Sequence, residues 1–339
     1  MARARLRCVA SVAALACVLA ATGNATSARA AYPGSNGLIA FVRAGDIWTI
    51  SPVTAAQRRL TSTGNNSTPA WSPNGRAIAF TSSRAGSKDI WVMTATGANL
   101  RRITTSTTTE TSPTWSPDGT WLAFSSARGP THEYAIFKLR STYPYGSAIR
   151  LTNPPPALDY PYDTYADQDP TWSALGDAIV FDRNWPCDPG EPSCTDLYRV
   201  AVGGGRITAI PTVAPAGNLV GDNWSPDFAP RGRALAFTSD FDSAPYFGGP
   251  MNVYISQADG SNAHQLTNDA DYDHPVFNGD AAWAPSGTRL AYARRLCMPY
   301  DCSAAVSAIW TAYANGTGAK LLVRNADDPS WQPIPVPAQ

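Results

Sequence analysis

The chain has few of the side chains on which most catalytic centres and metal sites depend. Only three histidines occur in 339 residues, and none stands at a metal-ligand spacing from another; they are His132, His264 and His274. The sequence has neither a Gly-x-Ser-x-Gly elbow nor a His-Glu-x-x-His segment, because Ile136 occupies the place of a second histidine after His132. These absences exclude the familiar serine-hydrolase and zinc-protease motifs.

An excess of positive charge is also absent. The 26 lysines and arginines balance 26 acidic residues, but residues 1–30 hold four of the arginines and none of the acids. The remainder therefore carries 22 basic and 26 acidic residues, a net charge of 22 − 26 = −4. Nothing in this distribution suggests a nucleic-acid partner.

Long apolar runs are missing as well. The longest extends from Cys8 to Ala21, follows three arginines and precedes the small-residue segment Ala28-Arg-Ala30. This pattern predicts a secretory signal peptide over residues 1–30 and a mature chain that begins near Ala31. No run reaches the roughly 20 apolar residues of a membrane helix, so we expect an exported protein, periplasmic or extracellular, without a membrane span.

Cysteines are few, and their positions suggest staples. Beyond residue 30 only four remain, in two close pairs. In an exported chain, local disulfides are the first interpretation, so we predict Cys187–Cys194 and Cys297–Cys302. The alternative, a four-thiolate zinc site, lacks the tight two-residue spacing of such sites.

What the chain does contain is one segment in six copies, most clearly Pro113-Thr-Trp-Ser-Pro-Asp-Gly-Thr-Trp-Leu-Ala-Phe124. Its aromatic anchor recurs every 44 to 57 residues, at Trp71, Trp115, Trp172, Phe228, Trp283 and Trp331. The last copy lacks its second half, which stands at the other end of the chain as Asn36-Gly-Leu-Ile-Ala-Phe41. Such periods are typical of propeller blades, and the split copy predicts a ring closed by pairing the last strand with the first.

Each copy contains four short β signals, named strands A to D. They are the Trp segment, the Ile-Ala-Phe segment, a third such as Asp89-Ile-Trp-Val-Met93, and a fourth that ends in Leu-Thr or Ile-Thr. The fourth signals end at Leu60-Thr61, Ile103-Thr104, Leu151-Thr152, Ile207-Thr208 and Leu266-Thr267. We therefore predict an all-β, six-bladed propeller of four-stranded antiparallel blades, one domain over residues 31–339.

The two faces of such a disc differ in their connections. Because successive strands run antiparallel, the short A–B and C–D turns share one face, and the long B–C and D–A connections share the other. The long connections include a predicted loop from Arg295 to Ser303. We expect a ligand on this elaborated face, since rigid scaffolds commonly carry binding sites on their loops.

The repeat motifs resemble those of the TolB family of six-bladed propellers. Trp-Ser-Pro-Asp-Gly, Ile-Ala-Phe, Asp-Ile-Trp and the closing Leu-Thr carry the resemblance, from about Tyr32 to Pro333. It implies a TolB-like propeller without the separate α/β domain that precedes the propeller of TolB itself. Similar blades occur in a periplasmic Tol-Pal component, beside hydrolase domains of prolyl oligopeptidases and in other secreted proteins, so the resemblance implies a fold rather than an activity.

One candidate site is the residue that we place just before each strand A, where it should surround the mouth of the central channel. These residues are Thr68, Ser112, Asp169, Ser225, Asp280 and Asp328. With Asp167, Asp222 and Asp327 nearby, the three aspartates would make the mouth electronegative and able to attract a cation or a basic peptide. Alternatively, they hydrogen bond to neighbouring backbone amides.

Two further candidates lie in long D–A connections. Asp269, Asp271 and Asp273, followed by His274, offer alternating carboxylates that could bind Ca²⁺; the alternative is that they cap turns of their own loop. Tyr162 and Tyr165 belong to a tyrosine- and proline-rich stretch suited to protein or carbohydrate contact, with Trp185, Tyr246 and Phe247 expected close by.

Two functional hypotheses follow. The first is a monomeric, non-catalytic binding or scaffold propeller that engages a protein, a peptide or a cell-envelope glycan through its loop-rich face and acidic mouth, with no cofactor required. The alternative is a glycan-active lyase or hydrolase at the same mouth, with His274 as base and a metal ion held by Asp271 and Asp273.

Overall fold

A computed structural model of the chain describes residues 32–128, 133–155, 165–185, 194–212, 222–240, 250–269, 276–298 and 301–335. These residues form six four-stranded antiparallel sheets arranged as the blades of a propeller, and no helix occurs among them. They accordingly include no helix able to cross a membrane. The predicted all-β, six-bladed fold is confirmed.

The strands follow in chain order. Blades I and II contain β4 (Asn66–Trp71), β5 (Ala77–Ala85), β6 (Ser87–Thr94) and β7 (Arg101–Arg102), then β8 (Glu110–Trp115), β9 (Trp121–Ser126), β10 (Ala135–Arg140) and β11 (Ile149–Arg150). Blades III and IV contain β12 (Ala166–Trp172), β13 (Ala178–Trp185), β14 (Cys194–Ala201) and β15 (Thr208–Ala209), then β16 (Asn223–Phe228), β17 (Ala234–Ser239), β18 (Asn252–Gln257) and β19 (His264–Gln265). Blade V contains β20 (Val276–Trp283), β21 (Arg289–Met298), β22 (Asp301–Tyr313) and β23 (Lys320–Arg324), and blade VI contains β1 (Ser35–Arg43), β2 (Asp46–Ile50), β3 (Gln57–Arg59) and β24 (Asp327–Ile334).

Blade VI closes the ring with both ends of the chain. Its strand order is β24-β1-β2-β3, so the last strand is innermost and pairs antiparallel with the first, Ile39 opposite Trp331. The Gln332 side chain accepts a hydrogen bond from the Leu38 amide (3.1 Å) and donates one to the Gly75 carbonyl of blade I (2.8 Å). The closure predicted from the split repeat is therefore confirmed.

The second strand of each blade is apolar on both sides because a neighbouring blade covers each face. Ile78, Ala79 and Phe80 are all fully buried, and the equivalent segments of the other blades are buried in the same way. The anchor tryptophans connect blades, since the Trp115 indole N–H donates to the Ala70 carbonyl of the preceding blade (3.1 Å). These anchors therefore belong to the core.

The Asp and Leu-Thr motifs act together at the outer half of a blade. In blade VI, Thr61 Oγ1 accepts the Ile47 amide (2.9 Å) and donates to Asp46 Oδ1 (2.9 Å). This bond fastens the end of strand D to the start of strand C. Thr104, Thr152 and Thr267 accept the corresponding amides of blades I, II and IV at 2.9–3.0 Å.

The structure corrects two details of the sequence analysis. In blade III the residue bonded like Leu60 and Leu151 is Ile210, whose amide donates to the Leu197 carbonyl (2.8 Å), so Ile207-Thr208 was the wrong pair by three residues. The predicted loop from Arg295 to Ser303 is mostly strand, because β21 and β22 continue as a hairpin in which Met298 pairs with Asp301.

Candidate functional site

The candidate site lies where the six inner strands begin, at the face of the B–C and D–A connections, here called the upper face. In each inner strand one residue has a left-handed backbone conformation, with φ between 48° and 57°. These six residues, the bulge ring, are Thr68, Ser112, Asp169, Ser225, Asp280 and Asp328. They were predicted to precede strand A, but they lie within it, next to an irregularity in the pairing with the second strand.

Left-handed conformations cost free energy in residues other than glycine, most of all in a β-branched residue such as Thr68. The bulge ring is held by hydrogen bonds between neighbouring blades. Asp328 Oδ2 accepts the Thr68 amide (2.9 Å), Ser112 Oγ donates to Asp169 Oδ1 (2.8 Å), and Ser225 Oγ contacts Asp280 Oδ1 at 3.4 Å. A carboxylate and a hydroxyl residue thus meet at the junctions of blades VI and I, II and III, and IV and V.

The three ring aspartates are at most 5% exposed. Buried carboxylates that hydrogen bond to the next blade have a clear structural task, which agrees with the second of the two interpretations of this ring. Their negative charge nevertheless lies at the channel mouth. Because they are buried, they contribute to the electric field at the mouth rather than to its accessible surface.

The accessible positions at the mouth are one residue earlier. They are half-buried in every blade, between buried neighbours, and form the mouth ring: Ser67, Thr111, Gln168, Trp224, Gly279 and Asp327. Of these, only Asp327 was predicted from the sequence to lie near the mouth. The signal was a polar pair before the Pro of strand A, present in four of the six blades. It could not be assigned to the strand because the bulge breaks the alternation on which strand assignment rests.

Negative charge is concentrated at this end of the inner strands. The bulge ring, the mouth ring and the residues immediately before the mouth ring make 6 × 3 = 18 positions, which hold six carboxylates and no lysine or arginine. The six are Glu110, Asp167, Asp169, Asp280, Asp327 and Asp328.

Three arginines contact this acidic set: Arg183 and Arg295 on second strands, and Arg128 just after the second strand of blade II. Arg183 makes two bonds to Asp167 (2.5 and 2.9 Å), Arg128 pairs with Glu110, and Arg295 bridges Asp280 and Asp327 at 2.9 Å each. Arg84 on β5 also donates to Asn66 Oδ1 at this end of blade I (2.6 Å). Six negative and four positive charges leave a net charge of 4 − 6 = −2, so the mouth is electronegative.

Asp182 on β13 adds a buried acid beside this set. Burial raises its pKa to about 7, and the charge of Asp167 acts in the same direction. The backbone amide of Ser225 in the next blade donates to the Asp182 carboxylate. Asp182 is therefore partly protonated near neutral pH.

Asp222, also expected near the mouth, serves a connection instead. Its Oδ1 accepts the Thr195 amide (2.8 Å), and its own amide donates to Asp240 Oδ1 (2.7 Å). The first bond connects the start of blade IV to blade III, and the second lies within blade IV.

The acidic D–A connection is described only at Asp269; Asp271, Asp273 and His274 lie outside the described residues. Asp269 accepts bonds from Arg294 (2.9 and 3.2 Å) and from Asn278 Nδ2 (2.8 Å). Burial alone would raise the pKa of Asp269, but these bonds outweigh it and hold the pKa below its ordinary value. The described residues include no group of three or more His, Cys, Asp or Glu suited to a metal ion.

Several other predictions fall at the limits of the described residues. Tyr165 is half-buried just before β12, whereas Tyr162, His132, Tyr246 and Phe247 lie outside the described residues. The ring of Trp185 meets that of Tyr198 edge-on at 5.7 Å. His264 is exposed after a C–D turn on the opposite, lower face.

The disulfides stay predictions. Cys187 lies outside the described residues, and Cys194 begins β14. Cys297 and Cys302 stand on the two paired strands of the β21–β22 hairpin.

Tyr32 occupies the lower ends of the inner strands, which no sequence signal indicated. Its hydroxyl donates to the Trp115 carbonyl, and only 4% of the residue is exposed. Burial raises the pKa of Tyr32 well above its ordinary value, and the charge of Asp227 on β16 adds to the shift. The start of the described chain is thereby fixed among the inner strands.

Comparisons with known proteins agree with this architecture. Residues 44–186 match the TolB beta propeller domain family, while no curated protein matches the chain. TolB from Acinetobacter baumannii has a TM-score of 0.64 and 17% identity, over 88% of this chain and 67% of that one. Putative TolB from Agrobacterium tumefaciens has a TM-score of 0.60 and 20% identity, over 85% and 89%.

Propellers of this form also occur within larger proteins. Hydrazine synthase of Kuenenia stuttgartiensis has a TM-score of 0.63 and 13% identity, over 91% of this chain and 48% of that one. All three identities are low, so these likenesses establish the fold alone. Together with the six closed blades, they show that the chain has a six-bladed β-propeller fold similar to that of TolB.

Proposed function

We propose that this propeller is a binding module, exported after removal of residues 1–30, that engages a basic segment of a protein or peptide at its upper channel mouth. The observation that carries the proposal is the set of six carboxylates at the starts of the inner strands, opposed by four arginines. A cleft lined by one sign of charge raises the local concentration of ligands of the opposite sign. The likeness to TolB propellers supports a binding or scaffold role.

The mouth ring offers the contacts. Trp224 is its aromatic member and is half-buried, so its indole is suited to stacking against a lysine or arginine side chain. Asp327 keeps 31% of its side chain exposed although it bonds to Arg295 and Ser307. Gln168 is half-buried between two buried aspartates, Asp167 and Asp169. A basic segment would meet polar and aromatic groups backed by buried negative charge.

The alternative, a metal-assisted glycan lyase or hydrolase, depends mainly on residues outside the described ranges. Asp269, the one described member of its acidic connection, already binds Arg294 and Asn278. We therefore base the proposed function on the mouth and not on this connection.

The proposal is tested by calorimetric titration of the mature protein with a capped oligolysine and, for comparison, a capped oligoglutamate. We expect saturable, salt-dependent binding of oligolysine only, because the interaction is between charges at the mouth. Gln168→Lys should weaken it by about tenfold, roughly 1.4 kcal/mol.

The matched control is Val53→Lys, which adds the same charge at a position that is 91% exposed in the C–D turn of blade VI. This variant should bind oligolysine like the parent. Equal losses in both variants would contradict a site at the mouth, because only long-range net charge would then be involved.

A further inference from the structure

The lower face carries a groove that the repeat pattern does not require. It lies between blades II and III and has a volume of about 240 Å³. Its apolar walls are Pro117, Trp121, Leu175 and Val202, and Lys138 lies within it. The repeat predicted only short turns on this face.

Three of these residues differ from the residues at the equivalent positions of other blades. Trp121 stands where blades I, III and IV have Ala77, Ala178 and Ala234. Leu175 stands in the A–B turn where the other blades have Asn74, Asp118, Arg231 and Ser286. Val202 stands where blades I, IV and V have Ala95, Ala258 and Ala314. Each is larger or more apolar than its counterparts, and all three line one groove.

Leu175, the most exposed of these three residues, adds little to the stability of the fold. Leu175 is 87% exposed, so its side chain contributes little buried area in exchange for the apolar surface it presents to water. Other blades form the same turn with a polar residue, so the fold does not need leucine there. An exposed apolar cluster at a position where the scaffold accepts polar residues indicates an interaction surface.

The charges around the groove indicate what kind of partner it takes. The Lys138 ammonium is 4.6 Å from the centre of the Trp121 indole and donates to the Val202 carbonyl (2.6 Å), and the Arg140 guanidinium is 5.1 Å from the same ring. Neither cation pairs with a carboxylate among the described residues. Burial lowers the pKa of Lys138, so a partner carboxylate would stabilise its charged form.

The neighbouring acid does not cancel these charges. The Asp118 carboxylate is hydrogen-bonded within its own turn. Its Oδ1 accepts the Ser116 hydroxyl (2.5 Å) and the Thr120 amide (3.0 Å), and its Oδ2 accepts the Thr120 hydroxyl (2.7 Å). Two cations against one internally bonded carboxylate leave the groove attractive to negative charge.

We propose that this groove binds an acidic peptide segment of a partner protein, with an apolar side chain inserted between Trp121 and Leu175 and an Asp or Glu side chain beside Lys138 and Arg140. The volume of about 240 Å³ is below the roughly 300–1,000 Å³ of pockets that enclose a whole small molecule, so it is suited to one inserted side chain. This inference is independent of the proposed function, which concerns the opposite face and the opposite charge.

The test uses end-capped peptides in which leucines are flanked by glutamates, titrated into the mature protein and followed by calorimetry. Two competing ligands are used. One is the same peptide with glutamine in place of glutamate, and the other is an oligogalacturonate, an acidic sugar chain that carries carboxylates without a peptide. We expect the glutamate peptide to bind, and the glutamine peptide to bind about tenfold more weakly, roughly 1.4 kcal/mol.

Leu175→Asp restores the residue type of the same turn in blade II and should lower affinity for the glutamate peptide by about tenfold or more. Its unfolding temperature should stay close to that of the parent, because Leu175 is exposed. Val53→Asp, at another exposed apolar position, should bind like the parent.

Four results would overturn the inference: no binding of the glutamate peptide at roughly millimolar concentration, unchanged binding by Leu175→Asp, preferential binding of the oligogalacturonate, or a dimer of this chain that dissociates in Leu175→Asp. The last two would assign the groove to a different occupant. Loss of oligolysine binding at the upper mouth would not bear on it.

Discussion

At the scale of single residues, Asp182 places a titratable carboxyl at a repeat position where another blade has a neutral hydroxyl. It follows the aromatic of strand B, where blade I has Thr81. Thr81 Oγ1 accepts the Ser112 amide of the next blade (3.3 Å), and the Asp182 carboxylate accepts the Ser225 amide in the same manner. A neutral hydroxyl suffices for this bond, so the aspartate brings a buried titratable group that the junction does not need.

Asp182→Asn should change how stability depends on pH. The folded pKa of about 7 lies above the ordinary value of 3.8, so the folded state binds more protons between these values and the stability of the parent falls as pH rises through this window. The variant lacks this term and should be more stable than the parent at about pH 8, by roughly 2–4 kcal/mol, and similar to it near pH 4. Urea unfolding across this pH range measures the difference, and parallel pH profiles would contradict the assignment.

Tyr32 gives a second prediction at this scale. Tyr32→Phe removes the hydroxyl that donates to the Trp115 carbonyl and should cost about 1–2 kcal/mol of unfolding free energy. Tyr32→Ala also removes a buried ring and should cost about 3–5 kcal/mol. Denaturant unfolding of the mature protein measures both; equal costs for the two variants would mean that the ring is not packed.

At the scale of elements, the bulge in each inner strand is the feature that the sequence revealed least. The repeat predicted the position of the tryptophan in strand A, but not that the strand begins one to four residues before the bulge. Thr68 and its counterparts interrupt the period-two alternation, so the polar residues before them resembled a loop. Strand C and the Leu-Thr pair were predictable in most blades because their side chains bond locally, as Thr61 does with Asp46.

Substitution of Asp328 tests whether the bulge ring stabilises the contacts between neighbouring blades. Asp328→Ala leaves the buried Thr68 amide without its acceptor and keeps a left-handed backbone at residue 328, so it should cost about 2–4 kcal/mol. Asp328→Asn keeps an acceptor oxygen and a residue that tolerates this backbone conformation, and should cost about 1 kcal/mol or less. Thermal unfolding of both variants is the measurement; equal destabilisation would show that charge, not the hydrogen bond, matters there.

At the scale of the whole molecule, closure and blade number followed from the sequence because the split repeat marks both ends of the ring. The functional surfaces did not follow as directly. Asp169, Asp280 and Asp328 lie in the inner strands but are buried, so the proposed function assigns the ligand contacts to the mouth ring. The lower groove was missed because its walls are far apart in sequence, and only the packing of blade II on blade III brings Trp121 near Leu175.

The two faces are expected to act separately. Gln168→Lys should weaken binding of oligolysine and leave binding of the glutamate peptide unchanged, and Leu175→Asp should have the reverse effect. Titration of each variant with both peptides in the same buffer measures this independence. A variant that impairs both would indicate a change in fold and would be recognised by a lowered unfolding temperature.

The central claim is that a basic segment binds at the upper mouth, and photo-crosslinking tests it most directly. A capped oligolysine that carries one photoreactive side chain is irradiated with the mature protein, and the adducts are mapped by mass spectrometry. We predict adducts on the peptides that contain Thr111, Gln168 and Trp224, and their loss in Gln168→Lys but not in Val53→Lys. Adducts confined to the lower-face turns, or unchanged in Gln168→Lys, would contradict the claim.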